Sequence, residues 1–377
     1  MARLRARRRP WERFAHWAPG AAVLAAALCL ALLVLAALTV RTDLLPGGSA
    51  PASETVISGP ATGPAATNLA EDTPRDTDLR LYDRIAERVG AGENYYRVAV
   101  EEQRARDFPV RPGLAVRLPT LAHVSGALGE WGMITLAALL GLATLAAWYW
   151  RLEHEPGGSD HRVYVLLLLV IGAASGFKPQ YLALHEVWAG MLLALALALH
   201  RRGRWMGAWV AAALALCLRE LALPFVLLLG ALALIRGDRR EAAAWGVLVV
   251  VFGIGLAWHL AQVAQVTGPA DPLSPSWFAL RGLGGWTANV ILSSPLYLLP
   301  GWLAAPLVLL PLIGWAGWKC DLGLAGFLLC AGYGVAFMIA GRDANFYWAL
   351  VVMPVWFIGL AFVPRTLAGL WNSAHGH

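Results

Sequence analysis

The stretch R-W-M-G-A-W-V-A-A-A-L-A-L-C-L-R-E-L-A-L-P-F-V-L-L-L-G-A-L-A-L-I-R, Arg204 to Arg236, decides how this chain folds. As a single helix, residues 205–235 would run about 46 Å at 1.5 Å per residue, against about 30 Å of hydrocarbon in a bilayer. Both ends carry basic clusters, Arg201, Arg202 and Arg204 on one side and Arg236, Arg239 and Arg240 on the other. Basic connections mark the cytoplasmic face of a membrane protein, so both ends belong there. The chain must therefore turn back at Arg219-Glu220-Leu221-Ala222-Leu223-Pro224, which predicts two short helices meeting at a polar tip. Short helices at membrane depth are tolerated only where they line protein or a wet cavity.

The rest of the 377 residues reads the same way. Hydrophobic residues make up 58% and charged residues 14%, where soluble domains carry about a quarter charged, so a soluble globular protein is excluded. Segments of about twenty apolar residues fall near 21–40, 127–150, 163–177, 182–199, 205–218, 221–235, 243–266, 297–318, 322–340 and 345–363. Ten spans put both termini on one side. The even-numbered connections are the basic ones: Arg151 with Arg162, His200 to Arg204, Arg236 to Arg240, Lys319, and Arg365. Six arginines within the first 13 residues add to the cytoplasmic bias. The expected location is a bacterial inner membrane with both termini cytoplasmic. The net charge of +6 lacks the interleaved aromatics of a nucleic-acid surface, so no nucleic-acid partner is expected. Cys29, Cys217, Cys320 and Cys330 form no C-x-x-C pair and give neither a zinc framework nor a disulfide pattern. The run 21–40 is long for a signal peptide and lacks a small-residue cleavage site, so it reads as an uncleaved anchor.

This gives a basic N-terminus (1–20), an anchor (21–40), a flexible external insert (41–75), external juxtamembrane helices (76–126), a polytopic domain (127–363) and a cytoplasmic tail (364–377). Residues 46–75 are rich in Gly, Pro, Ala, Ser and Thr and cannot bury enough apolar area to order themselves. From Asp76 the pattern changes. Leu81, Tyr82, Ile85, Ala86 and Val89 form one apolar stripe at helical spacing, as expected for a helix lying on a membrane surface. A second helix is expected over 94–106, then an extended stretch enforced by Pro109, Pro112 and Pro119. Residues 270–295 read as another external interfacial segment. No internal repeat is evident, which argues against the repeat-built transporter folds.

On this topology Asp76, Asp78, Glu93, Arg117, Lys178, His185, Glu186, Arg219, Glu220, Arg281, Arg342, Asp343 and Asn345 all fall at the external ends of spans or in external loops. An ionisable group in a span costs a few kcal/mol and is a functional candidate by default. Carboxylates beside fixed cations at a membrane surface suit a substrate carrying a lipid-linked phosphate: the cations neutralise it, and a carboxylate accepts a proton.

The segment D-L-R-L-Y-D-R-I-A-E-R-V-G-A-G (Asp78 to Gly92), followed by the proline-rich stretch and R-L-P-T-L (Arg117 to Leu121), resembles the first external loop of GT-C-type glycosyltransferases. Aminoarabinose transferases and protein O-mannosyltransferases belong to that class. The resemblance covers about 45 residues of the chain. It implies that Asp78 is the catalytic base and that Arg117 helps hold the lipid phosphate. It also implies an all-α fold of about ten transmembrane helices with juxtamembrane helices in a large first loop.

Each candidate also has a plainer reading. Asp78 is a good helix N-cap, and Glu93, the reserve base, sits in a loop beside a tyrosine pair. Arg117 could snorkel to headgroups. Arg219 and Glu220 could be partners of each other, or the wall of an active site. His185-Glu186 has no second ligand pair at metal spacing, so no metal site is expected. Lys178 is either a loop cation or a substrate contact. Capping alone would account for Asp343 and Asn345, while Arg342 and Asp343 together suit a phosphate or sugar. The expected activity is inverting transfer of a sugar from a polyprenyl-phosphate donor to an acceptor hydroxyl of a glycan, lipid or protein. No cofactor is indicated, although a divalent cation is compatible, and neither a Walker-type nor a dinucleotide-type glycine motif is present. The alternatives are a transporter or flippase for a lipid-linked sugar or other amphiphile, with the same polar tips as its transit site, and a non-catalytic membrane assembly factor.

Overall fold

The structure is a computed structural model that describes residues 12–44 and 77–376, the side chains of Thr42, Thr77 and Asp78 excepted. Most of the segment 41–75 expected to be an external insert, together with Asp76 and the first eleven residues, therefore lies outside the described residues. The described elements are all helical. In order they are α1 (Pro19–Thr39), α2 (Thr77–Gly90), α3 (Tyr95–Arg104), α4 (Thr120–Glu153), α5 (Gly158–Gly172), α6 (His185–Leu199), α7 (Met206–Leu218), α8 (Leu223–Ile235), α9 (Arg239–Val266), α10 (Gly282–Leu292), α11 (Gly301–Gly317), α12 (Asp321–Ile339), α13 (Met353–Trp356) and α14 (Val363–Ala374).

Five segments, Pro19–Thr39, Gly113–Glu153, Arg239–Val266, Asp321–Ile339 and Met353–Ala374, are long and apolar enough to cross a membrane. The helices α6, α7, α8 and α11 are apolar but shorter. Helix α1 buries only Ala22 and Ala36 and exposes Leu24, Leu28, Leu30 and Leu38. An apolar helix exposed on most of its circumference is stable only in lipid, and α9 repeats the pattern with Val250, Val251 and Ile254. The protein is membrane-embedded.

The Arg204–Arg236 stretch forms two helices. Helix α7 ends at Leu218, Arg219 is extended, Glu220–Ala222 makes a tight 3-10 turn, and Pro224 occupies the first turn of α8, where its missing N–H costs nothing. Each helix has thirteen residues, about 20 Å, too short to cross hydrocarbon unaided. They gain cover from separate neighbours, α7 from α6 and α8 from α9.

Three expectations are corrected. The stripe on α2 is covered by protein: Leu81, Ile85 and Val89 form a small core with Tyr96, Val98 and Val110, and with Val263 of α9. Amphipathic spacing shows that one face is apolar, not what covers it. Within 270–295, α10 is buried along nearly its whole length, from Gly284 to Ile291. The last apolar segment, 345–363, is mostly 3-10 in geometry, and the expected tail carries helix α14, packed on α1 and α11.

The basic connections gather at one end of the bundle. The Phe14 carbonyl accepts from Ser373 Oγ at 2.7 Å, Arg13 Nε donates to the Ala316 carbonyl at 2.7 Å, and Trp318 Nε1 donates to the Pro156 carbonyl at 2.8 Å. Arg202 pairs with Asp321, and His200 Nε2 lies 2.7 Å from Glu241 Oε1. Both described ends of the chain and the connections between α4 and α5, α6 and α7, α8 and α9, and α11 and α12 are thus tied together.

Candidate functional site

At the opposite end, α2 lies across the start of α4. A Cβ on Gly90 would meet the Gly126 carbonyl oxygen at 2.7 Å, and one on Gly126 would meet the Ala86 carbonyl oxygen at 2.6 Å, so the backbones touch directly. Three residues on, Gly129 takes φ 62° and breaks the helical geometry of α4. A side chain there would be strained even though the space around it is open. Gly129 itself lines a cavity of about 500 Å³ between α2, α3, α4 and the turn Pro179–Ala183. Its polar wall includes Tyr82, Asp83, Glu87, Arg117, Glu130 and His185.

Arg117 is half-buried in this wall. Its Nε donates to the Tyr82 hydroxyl and its Nη2 to the Tyr347 hydroxyl, each at 3.2 Å. Its carbonyl accepts from the Tyr95 hydroxyl at 2.6 Å. Burial pushes the Tyr95 phenol above its usual range, which keeps that donor protonated. Among the described residues no carboxylate forms an ion pair with Arg117; its direct partners are neutral hydroxyls. Glu186 and Glu220 act on it from further away.

Those two carboxylates are committed to Arg219, which is 1% exposed. Arg219 Nε donates to Glu186 Oε1 at 2.7 Å and Nη1 to Glu220 Oε1 at 2.5 Å, locking the turn between α7 and α8 to the start of α6. Arg219 and Glu220 do pair, as the plainer reading has it, but the fully buried partner is Glu186. His185, beside it, meets the Tyr82 ring edge-on at 5.3 Å.

A second cluster lies around residues 342–345. Arg281 donates from Nε to Asp343 Oδ1 at 3.0 Å and from Nη1 to Asn289 Oδ1 at 2.8 Å, while Arg41 Nη2 reaches Asp343 Oδ2 at 3.4 Å. Asn345 Oδ1 accepts from the Arg342 backbone N–H at 3.1 Å and Nε at 3.3 Å, the capping role read from sequence. The Asn345 amide also donates to the Tyr347 hydroxyl at 3.4 Å, so Tyr347 joins Arg342 to Arg117.

Lys178 and Glu93 do not line the cavity. Lys178 is exposed, its ammonium 5.6 Å from the Tyr181 ring centre. Glu93 is held by Arg88 at 2.6 and 2.9 Å and approached by Arg97 at 3.6 Å; hydrogen bonds from Arg88 keep its carboxyl below the usual range and weaken it as a base. Asp78 falls in the first turn of α2, but its side chain, like all of Asp76, lies outside the described residues. Among the described residues no three His, Cys, Asp or Glu side chains gather as metal ligands. Sequence reasoning missed Tyr82, Tyr95 and Tyr347 as site residues. Tyr82 carried a signal, four residues after Asp78 in the quoted segment, but Tyr347 had none beyond its closeness to Asn345.

Fold and site together define an all-helical membrane-embedded protein with a cavity, polar on one wall, beneath a pair of helices docked outside the main bundle. Compared with known protein families, curated proteins and solved structures, the chain matches none.

Proposed function

We propose that this chain is a membrane glycosyltransferase of the GT-C type, transferring a sugar from a polyprenyl-phosphate donor to an acceptor hydroxyl on the external face of a bacterial inner membrane. The observation that carries the reading is Arg117: a guanidinium in a cavity wall, oriented by two tyrosine hydroxyls and paired with no described carboxylate. Such a cation suits an anion that arrives and departs. Arg219, sealed between two glutamates, supports the wall.

In this mechanism the phosphate of the donor rests against Arg117. The acceptor hydroxyl gives its proton to the Asp78 carboxylate as its oxygen attacks the anomeric carbon. The bond from that carbon to the phosphate oxygen breaks, and the electron pair leaves with the polyprenyl phosphate, inverting the centre. Asp78 is one helical turn before Tyr82, and that spacing puts both positions on one face of α2. Arg342, joined to Tyr347 through Asn345, together with Asp343 and Lys178, would contact the polar ends of donor or acceptor. The ten-span layout with cytoplasmic termini belongs to the same proposal.

The test is turnover in nanodiscs with a labelled polyprenyl-phosphate sugar and a panel of hydroxyl acceptors. A new glycosidic bond with release of polyprenyl phosphate is the expected result. Movement of the intact donor across a proteoliposome membrane with no new bond would replace this reading with the transporter.

A further inference from the structure

Away from the cavity, a groove of about 420 Å³ runs between α8 and α9. Its walls are mostly apolar, and Leu227 and Leu234 among them are more than half exposed, on a surface that faces lipid. The helices meet at Gly230, where a Cβ would lie 3.1 Å from Trp245 Cβ, whereas a Cβ on Gly246 would have no atom within 4 Å. The groove is open there. Along α9 it extends from Arg239 to Val249, about 15 Å at 1.5 Å per residue. That is half of the hydrocarbon core of about 30 Å, the depth of one leaflet. Its mouth lies at the turn from α8 to α9, at the end of the bundle where the basic connections gather, and Arg239 lines it. Both carboxylates of this turn are engaged. Asp238 Oδ1 accepts from the Glu241 N–H at 3.0 Å, and the fully buried Glu241 carboxylate accepts from Arg236 Nη2 and Trp245 Nε1, each at 3.2 Å, with His200 Nε2 at 2.7 Å. Arg239 and Arg240 are exposed, and among the described residues neither guanidinium has a hydrogen bond or ion pair.

We propose that this groove binds an anionic phospholipid of the leaflet at that end, one acyl chain lying between α8 and α9 and the headgroup phosphate resting on Arg239, with Arg240 beside it. The two halves of the site match the two halves of such a lipid. A guanidinium donates paired N–H groups to phosphate oxygens, and a basic residue at headgroup depth draws anionic lipid toward it. The groove below it has the depth of one leaflet, so a chain hanging from that phosphate fills its length. A zwitterionic lipid brings its own cation beside the phosphate and gains less from the arginines. A second copy of the chain is the competing occupant, and charge disfavours it. A two-fold interface sets each patch against itself, so Arg239 and Arg240 would face their own counterparts.

The site does not depend on the proposed sugar transfer. Its test is native mass spectrometry of the detergent-purified full chain titrated with dioleoylphosphatidylglycerol or dioleoylphosphatidylcholine. The wild type should bind one phosphatidylglycerol saturably and about fivefold or more tightly than phosphatidylcholine, the effect of one arginine at headgroup depth. Arg239→Gln should lose about that fivefold and bind the two lipids alike. Gly246→Leu, whose side chain enters open space, fills the groove and should abolish the saturable step while the melting temperature holds. Ala243→Leu, at an exposed position of the same wall, should act likewise. Arg204→Gln removes an exposed arginine of the same end that does not line the groove, and should bind like the wild type. Equal losses in Arg239→Gln and Arg204→Gln would reduce the effect to diffuse attraction by the basic end. Saturable binding that survives both filling variants would place the lipid elsewhere, and a dimer that they dissociate would give the groove to a second copy. Each of these results overturns the proposal, as does a wild type without preference for phosphatidylglycerol.

Discussion

Arg117 and Arg219 are one chemical group in two electrostatic settings, and substitution should separate them. Arg219 is sealed against Glu186, itself 1% exposed, so Arg219→Gln leaves a buried carboxylate unbalanced. Breaking one side of such a pair costs about 3–5 kcal/mol. The expected outcome is a fall in yield and melting temperature in detergent, and retained thermal stability would show that the pair relaxes easily. Arg117→Gln removes a cation whose direct partners are neutral, so the fold should hold while affinity for decaprenyl phosphate drops about tenfold or more. Unchanged affinity would move the phosphate away from Arg117. Because α2 already includes Thr77, Asp78 lies inside the helix and is not its N-cap, and Asn, of the same shape, removes little more than its charge. Asp78→Asn should keep stability and donor binding while turnover falls roughly 10²–10⁴-fold; near-normal turnover would clear Asp78 of the base's role. Charge and position made Arg117, Arg219 and Glu220 visible in the sequence. The tyrosines were not, because an aromatic at helical spacing reads as core until its hydroxyl is seen at a guanidinium.

At the scale of elements, apolar run length was the legible signal. It placed α7 and α8 and the turn between them, since hydrocarbon thickness limits how far one helix can run. It did not reveal α10, whose Gly284-Gly285 and Thr287 look like loop but pack tightly inside protein, nor the partner of the stripe on α2. The docked pair α2–α3 has its own ties to the loop after α9. Arg104 binds Asp271 at 2.6 and 2.8 Å, and the Gly268 N–H donates to the same carboxylate at 2.7 Å. The Arg104 side chain, then the Gly268 N–H, hold the Asp271 carboxyl at about 2. A carboxyl with a lower value folded than unfolded, where it is about 3.9, releases its proton on folding. Its stabilisation is complete above about pH 4 and is lost as the pH falls toward 2. The protection of Gly268 and α3 against hydrogen exchange, taken relative to the intrinsic rate at each pH, should therefore fall below pH 4 in the wild type. Asp271→Asn should already exchange faster at neutral pH and respond less to acid; an identical acid response in both proteins would show that another group fastens the loop.

For the whole molecule the deciding question is which face of the membrane the cavity opens toward, because the polyprenyl-phosphate sugar proposed as donor would reach this site from one side only. Two observations bear on it independently. The basic connections of the sequence, which by charge belong in the cytoplasm, are drawn together at one end of the bundle through Phe14–Ser373, Pro156–Trp318, Arg202–Asp321 and His200–Glu241. The cavity, Arg117 and the turn at Arg219 occupy the other end, at the far termini of α4 and α7 from those connections. Arg204, exposed between α6 and α7, and Ser276, exposed in the stretch before α10, therefore report on opposite faces. With Cys29, Cys217, Cys320 and Cys330 replaced, a cysteine at Ser276 should react with a membrane-impermeant maleimide applied to spheroplasts, and one at Arg204 only after lysis. A cysteine at Pro60, in the external insert, should behave like Ser276. The reverse pattern would place the cavity in the cytoplasm, where nucleotide-activated sugars are at hand and a lipid-linked donor is no longer required. In that event the gathering of basic connections would still stand as geometry, but the proposed chemistry would have lost its side of the membrane.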